Sequence, residues 1–180
     1  TTLMNGLLAN TFLRTIGVGA VALFVPIYLY QLFGLQTVIA YQLFNRLVET
    51  IVGYKFAGII AKIGYRKSII FGSLILCLNL VIFNLAKNNQ WLLIINIFTF
   101  PIASTFYWLP RQLLILSTDE KKYGQTGSLF AVLSRWSAVL GPIVGAMLVN
   151  TFHFGGLFEW GILFILLSIG RFCIHVFHSC

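Results

Sequence analysis

Six long apolar stretches fill nearly all of this 180-residue chain, and the short connectors between them alternate in charge. A hydrocarbon bilayer core about 30 Å thick takes roughly 20 helical residues to cross. The pattern therefore predicts an all-α membrane protein with six transmembrane helices. The spans fall near residues 7–33, 37–61, 68–86, 91–117, 129–151 and 157–177, in a single bundle covering 1–180.

Composition narrows the alternatives. The chain is 59% hydrophobic and 9% charged, where a soluble domain carries roughly 25% charged residues. A soluble helical bundle would need charged residues recurring along one face of each long helix, and they do not. Runs such as Ile94-Ile95-Asn96-Ile97-Phe98 lack the alternation of a membrane β-barrel strand. The first apolar run is too long for a cleavable signal and has no basic start.

A net charge of +8 raises the question of nucleic acid, but the placement of the charge answers it. Lys62, Arg66 and Lys67 lie between the second and third spans. Lys121 and Lys122 lie between the fourth and fifth, beside Asp119 and Glu120, and Arg171, His175 and His178 lie near the C-terminus. The other connectors hold Lys87, Glu159 and the uncharged Gly34-Leu35-Gln36. Short loops rich in Lys and Arg stay cytoplasmic. Both termini are thus expected on the cytoplasmic side of a cell membrane (plasma or inner), with no nucleic-acid partner. Cys77, Cys173 and Cys180 show no paired spacing, and His175 and His178 have no third ligand near them. No metal and no cofactor is expected.

Charges inside an apolar span are costly and need a reason. Arg14, Lys55, Arg111 and Arg171 fall near the predicted cytoplasmic boundary, with Arg135 somewhat deeper, where long basic side chains can reach the headgroups. That is the expected role of Arg14, Lys55 and Arg171. Arg46 and Glu49 differ. At 1.5 Å per residue from Lys62 they lie about 24 Å and about 20 Å along the helix, near mid-membrane. With Gln42 and Gly53 they form one stripe on the second helix, and their three-residue spacing lets them pair. The stripe either fixes helix packing or borders a hydrated path for a solute or ion.

The fourth span carries a second candidate face, Ser104, Tyr107, Trp108 and Arg111, between Pro101 and Pro110. Tyr107 and Trp108 suit either an interfacial aromatic belt or a platform for a solute. The fifth span carries Ser134, Ala138, Gly141 and Gly145 at helical steps, with Pro142 among them. Small residues of this kind let a neighbouring helix approach closely, and Pro142 should bend the helix.

The run Gly58-Ile-Ile-Ala-Lys-Ile-Gly64-Tyr-Arg66-Lys67 resembles the signature loop of the major facilitator superfamily, with Ala61 at its acidic position. Gly141-Pro-Ile-Val-Gly-Ala is similar to the Gly-Pro-x-x-Gly-Gly motif of the same family, with Ala146 in place of the last Gly. Phe24-Val-Pro-Ile-Tyr-Leu-Tyr30 and Tyr107-Trp108 also look like bacterial members. The resemblance implies one six-helix half of a major-facilitator-type bundle. In such a bundle, two halves rock about a central site near mid-membrane. It further implies that Gly58, Gly64, Arg66 and Lys67 form a cytoplasmic gate loop. The Ser104–Arg111 face would border the cavity, and the Arg46–Glu49 stripe would meet a second six-helix half. That half would be a missing C-terminal part of a longer protein or a partner subunit.

The function expected from all this is a secondary active transporter, or half of one, moving a small solute by alternating access, with Glu49 either exchanging a coupled proton or holding Arg46 in one gate state and releasing it in the other. Two other classes stand beside it: a non-transporting membrane scaffold or assembly subunit, and a membrane-embedded enzyme. The enzyme reading lacks convergent carboxylates, a His-Glu-x-x-His or a Gly-x-Ser-x-Gly.

Overall fold

The computed structural model describes residues 2–116 and 120–177. Their regular structure is helical throughout: α1 (Thr2–Ala22), α2 (Phe24–Ile63), α3 (Tyr65–Leu85), α4 (Leu92–Leu116) and α5 (Glu120–Phe177). The side chains of Asp119, Glu120, Lys121 and Lys122, and those of His175, His178 and Cys180, on which part of the charge pattern rests, lie outside the described residues.

The expectation of six separate spans is corrected. Among the described residues, four helical stretches are long and apolar enough to cross a membrane: Gly6–Ile63, Tyr65–Leu85, Leu92–Leu116 and Gly127–Ile174. The expected first connector is no loop. Helix runs through it and is interrupted only at Gly34 (φ 81, ψ 174). The expected fifth connector is likewise reduced to one non-helical residue, His153 (φ 61, ψ −175). The reason is local. Leu35-Gln36 and Phe152 to Gly156 hold no proline and too few polar groups to draw the backbone into water, so helical bonding resumes at once on either side. Among the described residues, only the α3–α4 connector, which includes Lys87-Asn88-Asn89-Gln90, leaves the helical state for several residues.

Many large apolar side chains face outward, among them Leu43, Leu47, Ile51, Leu78, Ile94, Phe98, Trp136, Val139, Ile143 and Leu166. Leucines and isoleucines outside, with Asn10, Thr11, Asn79 and Asn96 inside, reverse the arrangement that water enforces. Lipid accepts it. The chain is an all-helical, multi-pass membrane protein.

Contacts divide the chain into two compact units, Thr1–Val25 with Glu120–Cys180, and Pro26–Asp119. In the first, α1 packs along α5. A Cβ on Gly141 would stand 2.8 Å from the Gly19 carbonyl carbon, and one on Gly145 would collide with the Ala20 carbonyl oxygen. The small-residue stripe is therefore where the two helices meet most closely. Asn10 donates to the Ser168 carbonyl at 2.9 Å, pinning α1 to the far part of α5. Arg14, expected to reach out to headgroups, is instead buried in this unit, 4% exposed. The break in α5 falls at His153, not at Pro142.

In the second unit, α3 and α4 form the closely packed pair. Gly72 makes this possible, because a Cβ there would lie 2.8 Å from the Phe106 carbonyl carbon and 2.9 Å from the Ala103 oxygen. α2 joins the pair through reaching side chains. Tyr41 meets Phe83 edge-on at 5.8 Å, and Phe56 meets Phe106 at 5.5 Å. α2 turns into α3 at one residue, Gly64, whose φ of 93° suits only glycine without strain.

Candidate functional site

The contact with α3 sets the rotation of α4. Ala103, Phe106, Tyr107 and Pro110 are buried, and Gly72 touches the backbone between Ala103 and Tyr107. Residues 104, 108 and 112, each one turn apart, then share a different face. Ser104, Trp108 and Gln112 indeed line one cleft, with Thr105 and Leu109 beside them and Glu49 and Gly53 from α2 opposite. The cleft has a volume of about 420 Å³, within the range of about 300–1,000 Å³ usual for small-molecule sites.

Among the described residues that line it, Glu49 is the one charged group. The Ser104 hydroxyl donates to Glu49 Oε1 at 3.1 Å, and Arg46 Nη1 donates to Oε2 at 2.7 Å. Arg46 and Glu49 are 73% and 29% exposed, so the carboxylate is held in the cleft wall while the guanidinium lies largely outside it. The Thr50 hydroxyl caps the Arg46 carbonyl at 3.0 Å.

The expected residues are only partly brought together. Glu49, Ser104 and Trp108 converge. Gln42 is exposed on α2, outside the cleft lining. Tyr107 is fully buried and Arg111 is 4% exposed, one turn apart on the side of α4 next to the cleft face. The Arg111 guanidinium stacks on Trp108, 4.5 Å from the ring centroid, and Tyr107 packs edge-on to the same indole at 5.5 Å. These two residues brace Trp108 from behind and do not line the cleft. Gly58 sits inside α2, with open space around its α-carbon. Arg66 and Lys67 occupy the first turn of α3. The stretch read as a gate loop is thus helix on both sides of Gly64. Gly141, Pro142 and Gly145 belong to the α1–α5 contact.

Gln112 and Thr105 were missed, although Gln112 continues the Ser104–Trp108 spacing by one more turn. A buried polar network was also missed. The Tyr41 hydroxyl donates to Asn96 Oδ1 at 2.5 Å, and Asn96 Nδ2 donates to the Asn79 carbonyl at 3.1 Å. Asn79 Nδ2 in turn donates to Thr99 Oγ1 at 2.9 Å. Asparagines inside apolar helices were the available signal, since each must find partners or stay out of lipid. Asn45 is buried as well. Tyr41 also borders a second, smaller cleft of about 270 Å³, between α2 and the start of α4, lined chiefly by apolar and aromatic groups including Phe33, Phe44 and Trp91.

Both α2–α4 side-chain bonds, Tyr41 to Asn96 and Glu49 to Ser104, join residues 55 positions apart. A constant offset means that the two helices run parallel in fixed register. The bonds are eight residues apart on each helix, about 12 Å along the axis.

No protein-family model and no curated protein matches this chain. The resemblance to the major facilitator superfamily is therefore withdrawn. It rested on short motifs and on a count of six spans that the fold does not keep. The second six-helix half that it implied goes with it.

Proposed function

We propose that this membrane protein is a carrier for a small solute, bound in the cleft between α2 and α4 and exposed to one side of the bilayer and then the other. The observation that carries the reading is the Glu49 carboxylate, held by Ser104 and Arg46 in the wall of a ligand-sized cleft between two apolar helices. An ionised group inside an apolar span is expensive, and function is the usual reason for keeping one. A packing pair alone would need no cleft.

The helix arrangement suits the movement required. α3 and α4 are held backbone to backbone at Gly72, whereas α2 is tied on by Tyr41, Glu49 and Phe56. Side-chain ties exchange more readily than close backbone contacts, so α2 is the element that shifts. The reading is not enzymatic, because one carboxylate, two hydroxyls, an amide and an indole make a binding set and offer no acid–base pair. Lys62, Arg66 and Lys67 lie on the cytoplasmic side, and so do both termini.

The test is reconstitution of the full chain into vesicles, incubation with a mixed pool of small metabolites, and analysis of the vesicle contents by mass spectrometry. At least one solute should enter faster than into protein-free vesicles, and Glu49→Gln should slow that entry roughly tenfold or more, the equivalent of about 1.4 kcal/mol. Contents identical to those of empty vesicles would leave a scaffold as the better description.

A further inference from the structure

The sequence leaves the charge of the solute open, because two arginines and one glutamate lie near the predicted path. The tertiary structure separates them. Arg46 pairs with Glu49 but is not among the residues lining the cleft, and is 73% exposed; Arg111 is buried behind Trp108. Neither lines the cleft; Glu49 does. We propose that the cleft takes an organic monocation, a protonated amine carried on a small apolar body, with the ammonium at Glu49 and the body between Trp108, Leu109 and Gly53.

Each part of the wall has a share in this. An ammonium group offers up to three donors, and the cleft offers as acceptors the Glu49 carboxylate, the Thr105 hydroxyl and the Gln112 amide oxygen. The Ser104 hydroxyl already donates to Oε1, so it fixes the carboxylate and leaves Oε2 as the exchangeable position. Arg46 holds that oxygen in the empty cleft. Its pairing joins residues three apart on one helix, and Gln42 lies one turn earlier on the same stripe to receive the guanidinium when it lets go. An incoming cation thus replaces one positive charge with another, and the carboxylate is never left bare in an apolar span. A carboxylate or phosphate ligand would find no cation among the described lining residues to hold it. Trp108 already carries Arg111 at 4.5 Å, so towards the ligand it serves as an apolar wall more than as a second cation site. Gly53 has no heavy atom within 4 Å of where a Cβ would stand, which leaves room for the body.

The assignment rests on the carrier reading of this cleft, but binding tests it without any transport. The full chain in nanodiscs of zwitterionic lipid is titrated with three probes of one shape: radiolabelled 2-phenylethylammonium, 2-phenylethanol and phenylacetate. The cation should bind about tenfold or more tightly than either of the others. Glu49→Gln should bring it down to the level of the alcohol, and Gln112→Glu, which adds a carboxylate to the same wall, should tighten it several-fold. Equal or tighter binding of the alcohol or the anion overturns the proposal, as does cation binding that Glu49→Gln leaves unchanged. If Glu49→Gln does not fold, Gln112→Glu decides alone, and no gain in cation affinity overturns the proposal. The same probes in vesicles separate the two ideas. A cation that binds at Glu49 but never crosses removes the carrier reading and keeps the ligand class. An anion that crosses while the cation fails to bind does the reverse.

Discussion

Asn96 is a residue on which three hydrogen bonds of the α2–α3–α4 unit converge. Its amide accepts from Tyr41, donates to the Asn79 carbonyl, and its own carbonyl accepts from Thr99. Hydrogen bonds between membrane helices average about 0.6 kcal/mol, but a buried group left without its partner costs about 1–3 kcal/mol. Asn96→Leu strands the Tyr41 hydroxyl and removes the side-chain donor from the Asn79 carbonyl. It should therefore lower stability by about 1–3 kcal/mol, measured by denaturant unfolding in detergent. Tyr41→Phe, which strands only the Asn96 oxygen, should cost less. Equal stability of Asn96→Leu and wild type would show that the network contributes nothing net. At the other height, Ser104→Ala leaves Glu49 its Arg46 bond, so stability should change by less than about 1 kcal/mol while cation binding weakens through loss of the fixed carboxylate.

At the scale of elements, glycines divide by what surrounds them. Gly72 and Gly141 face neighbouring backbone at under 3 Å from a hypothetical Cβ, whereas Gly53 and Gly58 face nothing within 4 Å. Gly72→Val should push α3 off α4 and cost about 1–3 kcal/mol by overpacking. Gly58→Ala, in the body of α2, should stabilise by up to about 1 kcal/mol through better helix propensity. The two variants compared in one thermal-melt series give opposite signs; a shared sign would contradict the packing described here. The break in α5 gives a third case. His153 holds φ 61, ψ −175, a region that strains any residue but glycine by about 1–3 kcal/mol. His153→Gly should raise the melting temperature, and His153→Val should lower it.

At the scale of the whole molecule, the question is which side of the membrane each connector occupies. Lys62 ends α2 and Lys87 follows α3, a helix of 21 residues, long enough at 1.5 Å per residue to cross a core of about 30 Å. With the native cysteines replaced, Lys62→Cys and Lys87→Cys should react with a membrane-impermeant thiol reagent from opposite faces, Lys62→Cys from the cytoplasmic one. Labelling of both from one face would remove the bilayer from α3 and the carrier reading with it.

Lipid as the surrounding solvent was written in the sequence, because a chain with this much apolar length and so few charges has no other way to satisfy its backbone. The pairing of Arg46 with Glu49 was legible too, since a three-residue spacing on a helix needs no tertiary information. Where helices stop was not. Gly34 and His153 break the hydrogen-bond ladder for one residue each, and the scarcity of proline and polar groups beside them permits such a break without requiring it. The face of α4 was misread for a related reason. Ser104, Tyr107, Trp108 and Arg111 lie close enough in angle to pass for one stripe. The approach of Gly72 to the α4 backbone turns Tyr107 inward and leaves Ser104, Trp108 and Gln112 facing α2. The charge that meets a ligand was likewise a tertiary decision. Periodicity lays Arg46 and Glu49 on one stripe, and only the neighbouring helix selects which of the two looks into the cleft.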